Sequence, residues 1–101
     1  MKQFEIENAI KAYRLQATEA EAKRDEAEHK AQIAQNNMDM ADRRASENRV
    51  PDYLYKHIED RHESAMREYH RASEEYEAIL KVLENLENLL IAVDELEYLT
   101  K

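Results

Sequence analysis

The chain contains no glycine, no cysteine and no tryptophan, and one proline, Pro51, in 101 residues. Each absence removes a class of protein. The tight turns of β-rich domains, types I′, II and II′, usually call on glycine for positive φ, so a strand-rich fold is not expected. Glycine-dependent phosphate loops are excluded on the same ground. Without cysteine there is no disulfide framework and no thiolate zinc site. The longest apolar run is Leu89-Leu90-Ile91-Ala92-Val93, far short of the roughly 20 residues of a membrane span. Met1-Lys2-Gln3 leads into mixed polar and apolar residues, a pattern that does not predict a cleavable signal peptide. Together these features predict a cytoplasmic protein with no membrane contact. The length suits one domain and is short for one that encloses an enzyme cleft.

What is present is charge and helical periodicity. Charged residues make up 38% of the chain and the formal net charge is -8. Apolar residues recur at alternating steps of four and three: Ile6, Ile10, Tyr13, Ala17, Ala20, Arg24, Ala27, Ala31, Ala34, Met38, Ala41 and Ala45. Arg24 is the one charged member. This is the heptad seam of a single helix over about residues 3–47. A second track reads Tyr55, Ile58, His62, Ala65, Tyr69, Ala72, Tyr76, Ile79, Leu83, Leu86, Leu90 and Val93, with His62 its polar exception. It predicts a second helix over about residues 51–99.

The two tracks are out of phase across Asn48-Arg49-Val50-Pro51. Carrying the first phase onward would bury Asp52, Glu59, Ser73, Glu87 and Asp94. Proline breaks a helix interior but sits well at the start of a new helix. Asn48 can take the left-handed conformation that ends a helix, a role usually given to glycine. Asp52 suits the positive end of the following helix. A turn at about 48–51 therefore predicts an all-α antiparallel two-helix coiled-coil hairpin formed by residues 1–101 as a single domain. The alanine-rich first seam, set against Tyr55, Tyr69, Tyr76 and Ile79, predicts small residues facing large ones.

A two-helix hairpin buries little surface for its length. The second helix carries more apolar residues than one partner helix can cover. Val82, Leu89 and Leu96 repeat every seven residues beside the seam, and Leu80, Ile91, Tyr98 and Leu99 add to them. Phe4 and Leu15 lie at the same end of the hairpin. Burying four such side chains would contribute on the order of 6–12 kcal/mol before entropic costs. The expectation is a partner or dimer interface at Phe4, Leu15, Val82, Leu89, Ile91, Leu96, Tyr98 and Leu99. A homodimer would form a four-helix bundle at the open end, and docking of another protein is the alternative.

Charge is uneven between the arms. Residues 1–50 carry 9 basic and 10 acidic side chains, whereas residues 51–101 carry 6 and 13. The acids Glu74, Glu75, Glu77, Glu84, Glu87, Asp94, Glu95 and Glu97 form an acidic face on the second helix, with Lys81 the one base from Ala72 to Thr100. Such a face keeps a helix solvated. It also admits a second function, an acidic mimic that blocks a DNA- or RNA-binding protein. Direct nucleic-acid binding is not expected, because the counterion term would be repulsive.

Two Glu-x-x-His pairs, Glu26 with His29 and Glu59 with His62, have the spacing of di-iron bundle ligands. Glu26 and His29 fall at solvent-facing heptad positions, and antiparallel pairing separates the two pairs by roughly 13 Å along the axis. No metal site and no cofactor are expected. No histidine or glutamate converges by spacing on a serine, threonine or lysine nucleophile, so the chain is read as non-enzymatic. Arg24 and His62, the two polar seam residues, are register or switch candidates. Arg24 is expected to extend its head toward Glu75 or Glu77 while its stem packs. The reading is a protein–protein interaction module, an adaptor, assembly factor or inhibitor. It would act through the apolar stripe near the termini and the acidic second helix. The residues assign it to no family.

Overall fold

The computed structural model describes residues 2–100 as two helices, α1 (Gln3–Ser46) and α2 (Asp52–Thr100). There is no strand among the described residues. The expected all-α helical hairpin is the observed fold class. α1 opens on the Lys2 carbonyl, which accepts from the amides of Glu5 and Ile6 at 3.0 and 3.2 Å.

The turn works through the residues the sequence singles out. Asn48 takes φ 57°, the left-handed region. Its amide donates to the Ala45 carbonyl at 3.0 Å, and the Arg49 amide donates to the Arg44 carbonyl at 2.9 Å. This pair of bonds is the Schellman closure of a helix, built here on asparagine in place of glycine. Arg43 and Arg44 occupy the last turn of α1, where positive charge suits the helix dipole. α2 begins one residue later than its sequence pattern suggests. Pro51 stands just before the helix, and its carbonyl accepts from Leu54 and Tyr55 at 3.1 and 3.0 Å. Asp52 supplies the negative charge in the first turn.

The chain divides into two compact units. The terminal unit comprises Met1–Glu21 and Glu74–Lys101, and the tip unit comprises Ala22–Ser73. In the terminal unit Ile6, Ile10, Ala17 and Leu83 form a buried cluster, with Tyr13, Tyr76, Ile79, Leu86, Leu90 and Val93 packed against it. Arg14 Nη2 lies 3.4 Å from Glu87 Oε1 between two exposed side chains, a pair worth at most about 1 kcal/mol.

In the tip unit, Ala27, Ala31 and Ala41 are buried at the helix–helix seam. Two side-chain pairs set its register. His62 Nε2 is 2.7 Å from Gln35 Oε1, and the Tyr55 hydroxyl donates to Asp42 Oδ1 at 2.6 Å. An amide oxygen only accepts, so the ring nitrogen of His62 is the donor. Seven residues forward on α1, from Gln35 to Asp42, matches seven residues back on α2, from His62 to Tyr55. That is antiparallel pairing one heptad apart.

Every position of both seams is buried or half-buried, Arg24 and His62 included. Leu83 is the buried residue of α2, whereas α1 is buried chiefly at alanine and isoleucine. A small side chain at the seam brings the facing helix close enough to cover it, while the larger facing residue keeps an exposed edge.

Candidate interaction surfaces

All eight residues assigned from sequence to an interface belong to the terminal unit. Val82 is half-buried, while Leu89 is 42% exposed, Leu96 61%, Leu99 77%, Tyr98 81% and Phe4 67%. Leu15 and Ile91 are exposed as well. They do not make one patch. At 100° per residue, Leu89, Ala92, Leu96 and Leu99 stack along one line of α2. Ile91 and Tyr98 lie about half a turn round the helix and form a second line. Ile91 lines a groove of about 310 Å³ with Ile10, Lys11, Arg14 and Glu87. Phe4 lines another with Val93 and Glu97. The two α2 lines flank the seam on opposite sides, so a partner that covers one leaves the other open.

The acidic residues Glu74, Glu75, Glu77, Glu84, Glu87, Asp94, Glu95 and Glu97 are all exposed and all in the terminal unit. The charge asymmetry is therefore sharper between units than a comparison of arms suggests. Residues 1–21 and 74–101 carry 5 basic and 12 acidic side chains, and residues 22–73 carry 10 and 11. The terminal unit holds -7 of the net -8. No base lies in the last turn of α2, where the helix dipole favours one.

The polar seam candidates sit in the tip unit. His62 bonds to Gln35 as described, and the Arg24 guanidinium donates to Asp25 through Nη2 at 3.0 Å and Nε at 3.3 Å. The Glu-x-x-His residues are engaged elsewhere. Glu26 pairs with Lys30 at 3.6 Å and Glu59 with Lys56 at 3.6 Å. Among the described residues, no group of three histidines, aspartates or glutamates is placed to hold a metal ion. Asp42 raises the Tyr55 phenol above its ordinary pKa of 10.0, first by accepting its hydrogen bond. Desolvation and the negative charges of Asp42 and Glu59 act in the same direction.

One surface has no counterpart in the sequence reading. A groove of about 820 Å³ runs along the tip unit, with Ile33, Ala34 and Ala41 of α1 facing Leu54, Ile58 and Ala65 of α2 across it. Lys30, Arg44, His57, Arg61 and Glu68 also line it. Lys30 pairs with Glu26, whereas the guanidinium groups of Arg44 and Arg61 meet no carboxylate among the described residues. Ile33 and Leu54 are 48% and 41% exposed. The small-on-large rule lapses at one level of the groove, where Ala65 of α2 meets Ala34 of α1, while Ala41 stays buried against the larger residues near the turn. Alanine on both sides leaves the groove wider at that level.

Compared with known protein families, with curated proteins and with solved structures, the chain finds no match. No helix is long and apolar enough to cross a membrane among the described residues.

Proposed function

We propose that this chain is a non-enzymatic protein-interaction module, an adaptor, assembly factor or inhibitor in the cytoplasm, whose working surface is the terminal unit. One observation carries the reading. Leu89, Leu96 and Leu99 are 42%, 61% and 77% exposed in a single line on α2, beside a row of carboxylates that would repel nucleic-acid phosphates and anionic membrane surfaces. Scattered exposed leucines are ordinary, but a line of them sustained over three helical turns is a docking face in want of a cover. A second copy of the chain is the first candidate to cover it, in a homodimer, and another protein is the alternative.

The test compares wild type with Leu89→Glu by light scattering at high micromolar concentration, and by partner capture from the native host in low and high salt. Association or capture that survives high salt and fails in Leu89→Glu supports the apolar face. A variant that matches wild type in both measurements refutes it. Capture that is lost at high salt, competed by DNA and indifferent to Leu89 would instead favour the acidic mimic, whose supporting observation is the -7 charge gathered in one unit.

A further inference from the structure

Two of the uncovered surfaces of this molecule complement each other in length, polarity and charge. The tip groove carries apolar side chains from both helices among polar ones, with Ile33 on one wall and Leu54 on the other. It spans Lys30 to Arg44 on α1, about 20 Å, or roughly four turns of helix at 1.5 Å per residue. Of its charged side chains, Arg44 and Arg61 meet no carboxylate among the described residues and Glu68 is the one acid, so the lining is net positive. The end of α2 offers the complement. Leu89, Ala92, Leu96 and Leu99 form an apolar line of about 15 Å, and Glu84 and Glu95, three turns apart, lie on one flank of it. That segment also breaks a local rule. Its last turn, Glu97 to Thr100, carries one acid and no base ahead of Lys101, an arrangement that a further cation nearby would suit.

We propose that the last turns of α2 in one copy dock into the tip groove of a second copy, with the Leu89–Leu96–Leu99 line against Ile33 and Leu54 and the flanking carboxylates against Arg44 and Arg61. The proposal rests on the terminal unit being the binding surface and names its partner. Charge decides between this contact and a symmetric one. Two terminal units meeting face to face bring together two surfaces of net -7, whereas the tip unit is close to neutral and cationic at its groove. The contact joins different surfaces of the two copies, so each pair leaves one groove and one α2 end free. Assembly then continues past the dimer into short chains or a closed ring. The groove is small beside a standard protein interface, which places the association among the weak, transient ones.

The experiment is sedimentation velocity on the full chain at high micromolar concentration, with two variants whose helicity is first checked by circular dichroism. The groove variant carries Arg44→Glu and Arg61→Glu. The α2 variant carries Leu96→Glu and Leu99→Glu. Wild type is expected to form concentration-dependent species larger than a dimer, weakened by salt. Each variant alone is expected to stay monomeric. An equal mixture of the two is expected to form a dimer that goes no further, because one intact groove still meets one intact α2 end.

A groove variant that associates as wild type does, a mixture that stays monomeric while wild type assembles, or a wild-type assembly that stops at two copies overturns the head-to-tail contact. In the first and last of these outcomes, loss of association in the α2 variant would keep the terminal unit as the working surface and point to the symmetric four-helix bundle. A wild-type chain that is monomeric throughout overturns self-docking. Partner capture that still depends on Leu89 would then leave the terminal unit to another protein.

Discussion

Ile6 has no exposed surface in the terminal unit, where it packs with Ile10, Ala17 and Leu83. Ile6→Ala removes roughly three carbons from that cluster, a transfer loss of about 2.4 kcal/mol at ~0.8 kcal/mol per buried carbon. A two-helix unit has few neighbours to collapse into the space, so a cavity term adds to the loss and brings the expected cost to about 3 kcal/mol. For a chain of this size in urea, with a slope of about 1.5 kcal/mol per molar, the midpoint falls by about 2 M. The assay is urea unfolding followed by circular dichroism at low protein concentration, with the slope checked for constancy. Leu89→Ala is the internal control. Its side chain is 42% exposed in the monomer, and its expected cost under the same conditions is about 1 kcal/mol. The reasoning fails if Ile6→Ala falls within 1 kcal/mol of wild type, or if Leu89→Ala costs as much as Ile6→Ala. Either result would mean that the seam is not the core.

Two further outcomes follow from the turn and the tip. Asn48 holds φ at 57°, so Asn48→Ala keeps a Cβ in the left-handed region but loses the short polar side chain that lets asparagine tolerate it, and is expected to cost about 1 kcal/mol. Asn48→Gly, which trades that strain for greater freedom in the unfolded chain, is expected to be close to neutral, and urea midpoints of the pair check the ranking. Tyr55 is expected to ionise above the ordinary phenol value because its neutral form donates to Asp42. Its neutral form is favoured in the folded state, so that contribution to stability is complete below the unfolded pKa and is lost as pH rises through the folded one. Tyrosinate absorbance against pH for wild type, Tyr55→Phe and Asp42→Asn measures this. In Asp42→Asn the Tyr55 transition should move down toward 10.0.

The helices and their turn were legible because their determinants are local and periodic. Twelve seam positions on each arm follow a spacing of three and four, and all of them are buried or half-buried. The break was legible because it has two independent signals, a phase shift and a proline, with an asparagine placed where a left-handed residue is needed. The cross-helix pairs were within reach of the same logic. Gln35 and Asp42 are seven apart, as are His62 and Tyr55, so fixing one pair fixes the other. Reading them required the register, which the loop leaves uncertain by a residue or two until the turn geometry is known. The division of the eight apolar interface residues into separate lines was also implicit in 100° per residue. Grouping them by the end of the molecule they occupy concealed it.

The groove was illegible for a different reason. Seam periodicity records which residues face the partner helix and says nothing about how well the facing volumes fill the space between. On α1 the alanines from Ala17 to Ala45 all look alike, each a close-approach position. What differs is the residue opposite. Where the second seam supplies tyrosine, isoleucine or leucine the gap is filled, as around Leu83 in the terminal unit. Ala65, set between His62 and Tyr69, leaves it open, and the groove runs past it and Ala34, while Ala41 nearer the turn is covered. A void in a seam weakens the packing that holds two helices together, because its lining atoms lose their partners. Filling the groove from within, with Ala65→Leu, is therefore expected to stabilise the tip unit while closing the site to any incoming helix. On the head-to-tail contact proposed above, Ala65→Leu should also weaken wild-type association, and a variant that still assembles past the dimer would refute the groove as its site.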